Sequence, residues 1–64
     1  MTNFEDSFRY REVFVVISHY FGYHYIFEYE DYFYYAYFDT LDNAKQGARK
    51  QIDNLLLRKV ILDD

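Results

Sequence analysis

Two patterns of apolar and polar positions divide the chain. From Tyr23 to Tyr29 the spacing is two, with Tyr23, Tyr25, Phe27 and Tyr29 set against His24, Ile26 and Glu28. From Leu41 onward Ala44, Ala48, Ile52 and Leu55 recur three or four residues apart, which predicts an amphipathic helix over residues 40–58. Phe8 to Ser18 is dense in strand formers, with Val13, Phe14, Val15, Val16 and Ile17 at its heart. Phe21-Gly22 and Glu30-Asp31 read as turns, and Tyr32 to Phe38 as a further strand. The expected fold is therefore α+β: a three-stranded antiparallel β-meander over residues 8–38, packed on one face by a C-terminal α-helix (βββα).

Register decides which side chains share a face. A two-residue turn at Phe21-Gly22 would set Ile17, Val15 and Val13 beside Ile26, Glu28 and Glu30, mixing apolar with charged. A three-residue loop, Tyr20-Phe21-Gly22, pairs His19 with Tyr23 and gathers Val13, Val15 and Ile17 with Tyr25, Phe27 and Tyr29. The second register is expected because it makes one continuous apolar face. A two-residue Glu30-Asp31 turn adds Tyr32, Tyr34, Ala36 and Phe38 to that face. The opposite face then carries Phe14, Val16, Ser18, His24, Ile26, Glu28, Phe33, Tyr35 and Tyr37. Asp39 or Thr40 is suited to cap the helix, whose polar side holds Lys45, Gln46, Arg49, Lys50, Asp53 and Asn54. Gly47, beside Ala44 and Ala48, marks a small-residue patch that lets the helix approach bulky tyrosines closely. Residues 1–7 read as a lead-in, with Phe4 its anchor. Residues 59–64 read as a tail whose Val60, Ile61 and Leu62 suit either helix or strand.

Composition narrows the class. Sixty-four residues make one domain, and so short a chain buries only about 60% of its unfolded surface. With no cysteine there is no disulfide to help, so aromatics, 25% of the chain, supply the buried area. No apolar run reaches the ~18 residues of a membrane span, and the polar, acidic start is unlike a secretory signal. The expected location is cytoplasmic, with no membrane partner. Net charge is −4 and unevenly spread: residues 1–40 carry −5, residues 41–64 carry +1, and no Lys or Arg lies between Glu12 and Ala44.

Catalytic chemistry finds no support. His19 and His24, with Glu28 nearby, suggest a zinc site only in principle, since nothing fixes a third or fourth ligand, and the two glycines make no phosphate-binding loop. Ser7 and Ser18 have no nucleophile-elbow context. Neither an enzyme nor a cofactor is expected.

FYYAYFDTLDNAKQGARKQI, residues 33–52, resembles the last strand and helix of integrase arm-binding domains and of their plant DNA-binding counterparts. That resemblance implies a sheet reading DNA through Arg and Trp, but this chain has no Trp and a sheet almost free of bases. The exposed aromatics leave single-stranded nucleic-acid stacking as a third reading. In size, charge and architecture the chain resembles small acidic phage-encoded inhibitors of bacterial defence systems, anti-CRISPR proteins among them. The features behind this are the base-free run and the acids Glu28, Glu30, Asp31, Asp39 and Asp42. It implies a non-catalytic inhibitor of a nucleic-acid-handling enzyme such as a CRISPR effector, in the cytoplasm of a host cell if phage-encoded. Its acids would occupy a basic groove in place of nucleic acid, and no direct nucleic-acid contact is expected. The candidate partner-binding residues are Glu28, Tyr29, Glu30, Asp31, Tyr32, Phe33, Tyr35, Tyr37, Asp39 and Asp42. The alternative is a homodimeric structural or regulatory protein whose outer sheet face is the dimer core.

Overall fold

The computed structural model describes the backbone of residues 3–62 and the side chains of residues 6–58. Four strands precede one helix: β1 (Asn3–Tyr10), β2 (Val13–His19), β3 (Tyr23–Tyr29), β4 (Tyr32–Phe38) and α1 (Leu41–Leu62). The strands form an antiparallel sheet in the order β1-β2-β3-β4, and α1 packs on one side of it. The architecture is α+β, with four strands where the sequence predicts three. The extra strand arises because Phe8 to Ser18 is not one strand. Arg11 and Glu12 take φ of 50° and 67° and reverse the chain in a two-residue turn. That dipeptide lacks the Gly or Asn that usually announces such a turn. Asn3 to Ser7, expected as a lead-in, instead belongs to β1 and pairs with the far end of β2. A bulge between Phe4 and Asp6 shifts the register there. The anchoring expected of Phe4 concerns a side chain outside the described residues, as do the side chains of residues 59–62.

The β2–β3 register is the one that unites the apolar positions: His19 faces Tyr23, Ile17 faces Tyr25 and Val15 faces Phe27. On the far side of β3, Phe27 faces Tyr34, Tyr25 faces Ala36 and Tyr23 faces Phe38. Both loops are tight. Phe21 and Gly22 take φ of 53° and 114°, and Glu30 and Asp31 take 51° and 72°. Gly22 is required twice over, because the Tyr37 ring lies where a Cβ would project.

The core sits between the sheet and α1. Val13, Val15, Ile17, Tyr25 and Phe27 from the sheet meet Ala44, Ala48 and Ile52 from the helix. Stacked rings extend it, with Phe27 on Tyr34 at 5.3 Å and Tyr25 on Phe38 at 5.8 Å. Burial pushes the Tyr25 phenol up from its ordinary pKa. Thr40 is the cap: its Oγ1 accepts from the Asn43 amide at 3.1 Å, and its carbonyl accepts from Ala44. The ring that approaches Gly47 belongs to Phe38, where the sequence predicts a tyrosine, because Phe38 ends β4 on the helix side just before α1 begins.

One side of α1 folds over β1. Lys45 pairs with Asp6 at 2.7 Å, and Arg49 lies over the rings of Phe8 and Tyr10. Asp53 accepts from the Tyr10 hydroxyl at 3.1 Å and pairs with Arg11 at 3.0 Å. The helix itself lies over β2, β3 and β4, and these side chains reach from it to β1. Leu55 and Leu56 still pack against the core, whereas Leu57 is exposed. The predicted boundary at residue 58 thus falls inside α1, which continues as helix to Leu62.

Candidate partner-binding surface

The side of the sheet away from α1 is built by strand alternation alone. Phe33, Tyr35 and Tyr37 project from β4, His24, Ile26 and Glu28 from β3, Phe14, Val16 and Ser18 from β2, and Ser7 and Arg9 from β1. Of the large apolar side chains here, Tyr35 and Phe33 of β4 are the most open, at 75% and 65% exposure. Single-sided antiparallel sheets normally turn polar residues to water, so this strip of rings is an unusual surface.

Two shallow hollows lie in it. One, about 340 Å³, is bounded by Phe14, Val16, Ile26 and Phe33 with Glu28 at its rim. The other, about 250 Å³, lies between Ser18, Tyr20, His24 and Tyr35. Each is apolar with one or two polar groups, which suits a partner's aliphatic or aromatic side chain. The His24 imidazole is held in place: its Nε2 lies 2.9 Å from the Tyr20 carbonyl oxygen, and its ring meets Tyr37 edge-on at 5.2 Å. His19 stacks on Tyr23 from the opposite face, so the two imidazoles do not converge. Among the described residues no group of three His, Cys, Asp or Glu side chains is placed to hold a metal ion.

The ten predicted contact residues do not form one patch. Glu28, Phe33, Tyr35 and Tyr37 share the outer face. Tyr29 and Tyr32 project from the other face, where Tyr29 is half-buried against the core and Tyr32 is 69% exposed. Glu30 and Asp31 occupy the exposed turn at one end of β4. Asp39 and Asp42 are exposed at its other end, Asp42 in the first turn of α1. Seven residues of strand put the two acidic ends about 23 Å apart. The acids bracket the aromatic strip and do not surround it.

Sequence reasoning puts Arg9 at the start of the first strand but does not give its face. Arg9 pairs with Phe14 and lies exposed on the outer face, three strands and about 14 Å from β4. Recognising Arg11-Glu12 as a turn would have placed it. Toward β1 the bases Arg9, Arg11, Lys45 and Arg49 stand among Asp6, Glu12 and Asp53, whereas Glu28, Glu30, Asp31, Asp39 and Asp42 lie beside β4 or at its ends.

No protein-family model matches the chain, and neither a curated protein nor a solved structure matches it. No helix among the described residues is long and apolar enough to cross a membrane.

Proposed function

We propose that the protein is a non-catalytic binding protein that docks the aromatic, acid-bracketed β4 side of its sheet against a basic groove of another protein. The observation that carries this reading is the coplanar set Phe33, Tyr35 and Tyr37, exposed and base-free, with Glu28 beside it and carboxylates at both ends of the strand. Aromatic rings give rigid contact area at small entropic cost, and the flanking acids select basic partners. A groove that binds nucleic acid offers that chemistry, with Arg and Lys spaced for phosphates. The favoured target is therefore a nucleic-acid-handling enzyme, a CRISPR effector among them, and the consequence of docking is inhibition.

Direct nucleic-acid stacking is the weaker reading. Glu28 stands within the ring-bearing face, and the only base on that face among the described residues, Arg9, is at the opposite edge. The test is binding and cleavage by purified guide-loaded effectors in the presence of the protein. Glu30→Ala with Asp31→Ala is expected to weaken association about tenfold, and added salt to weaken the wild type. Inhibition that ignores both changes would refute the groove-mimicry mechanism.

A further inference from the structure

The two edges of the sheet differ. β1 carries a bulge, the charged residues Asp6 and Arg9, and side chains of α1 folded over it. These are the devices that keep a sheet edge from pairing. β4 lacks the bulge and the charges: YFYYAYF is seven residues with no Asp, Glu, Lys, Arg, Gly or Pro, and among the described residues no strand lies beyond it. We propose that β4 is the interface of a symmetric dimer, pairing antiparallel with β4 of a second copy to form one eight-stranded sheet.

The hydrogen-bond alternation of the hairpin selects the register. The two-residue Glu30-Asp31 turn makes Tyr29 and Tyr32 a hydrogen-bonded pair. The amides and carbonyls of Tyr32, Tyr34, Ala36 and Phe38 therefore point at β3. Those of Phe33, Tyr35 and Tyr37 point at the open edge. A two-fold axis at Tyr35 sets Tyr35 opposite its own copy and Phe33 opposite Tyr37, which engages all three residues of both chains in six backbone hydrogen bonds. Moving the axis to Tyr34 or Ala36 engages only two of the three in strand-to-strand pairs.

Side chains fit the same register. On the outer face Phe33, Tyr35 and Tyr37 become a ladder of cross-strand aromatic pairs. On the helix side large Tyr34 meets small Ala36, and Tyr32 gains Phe38 as a neighbour. Because the β1 edge is blocked, association closes at two copies. The cost lies at the ends, where Asp31 faces Asp39 of the other copy, so salt should tighten the dimer. That sign is opposite to the one expected for docking into a basic groove. The inference does not depend on the proposed target, since the outer face stays open in the dimer.

Sedimentation equilibrium of the full chain, with amide hydrogen exchange followed residue by residue, tests it. The expected result is a dimer, tighter at high salt, in which the Phe33, Tyr35 and Tyr37 amides become at least ~100-fold protected as concentration rises. Tyr35→Pro removes an N–H that β3 does not use, so the variant should fold and remain monomeric. If that variant fails to fold, exchange on the wild type decides alone. Three results would overturn the proposal: a monomer up to about 1 mM, a polymer larger than two, or a dimer whose three edge amides exchange freely, as face-to-face packing would leave them.

Discussion

Gly47→Ala puts the close packing of α1 on β4 to a quantitative test. In an open helix the change gains about 1 kcal/mol, because alanine loses less backbone entropy. Here the new methyl would run into Phe38 Cζ and lie 2.8 Å from its Cε1. Ordinary carbon contacts are about 3.5–4.0 Å, so the ring would have to retreat by more than an ångström. It cannot do so freely, since it stacks on Tyr25, itself 5% exposed. Overpacking of this kind costs about 1–3 kcal/mol, leaving a net destabilisation of roughly 1 kcal/mol. For a domain of this size that lowers Tm by about 4–8 °C, readable by circular dichroism during heating or urea titration. Phe38→Ala removes the obstacle, so adding Gly47→Ala in that background should stabilise by about 1 kcal/mol. The reasoning is refuted if Gly47→Ala stabilises the parent, or if its effect is the same in both backgrounds.

Three further outcomes follow from the described geometry. Glu12→Gly relieves a non-glycine residue at φ 67°, and a gain of about 0.5–1 kcal/mol in urea unfolding is expected. Lys45 and the Ser7 amide hold the Asp6 carboxyl below its ordinary pKa, so its contribution is present above the ordinary aspartate range and lost as pH falls through the lowered value. Asp6→Asn should therefore lower Tm at neutral pH, with the difference vanishing in acid. Burial raises the Tyr25 pKa, so its contribution holds below the ordinary phenol range and is lost as pH rises through the raised value. The ultraviolet titration of wild type minus Tyr25→Phe should show a phenol ionising above that range.

What was legible in the sequence follows from local periodicity. Alternation along Tyr23–Tyr29 and Tyr32–Phe38 assigns faces without reference to anything distant, because successive side chains on a strand must point opposite ways. Once the loop lengths at Tyr20-Phe21-Gly22 and Glu30-Asp31 were chosen to unite apolar positions, the pairing of β2, β3 and β4 followed. The strip Phe33, Tyr35 and Tyr37 was visible by the same rule. Arg11-Glu12 was not legible as a turn, since neither residue prefers φ above zero. The flanking strands impose that conformation, and with it the fourth strand and the outward placement of Arg9.

By itself, then, the sequence determined which residues of β2, β3 and β4 share a face and that one amphipathic helix follows them, since both depend on spacing within a segment. Tertiary structure decided the number of strands, which face of the sheet α1 covers and where the acids fall relative to the aromatic strip. Those depend on segments far apart in the chain meeting: Lys45 with Asp6, Asp53 with Tyr10 and Arg11, Phe38 with Gly47. No local pattern encodes such meetings, because their free energy exists only once both partners are in place.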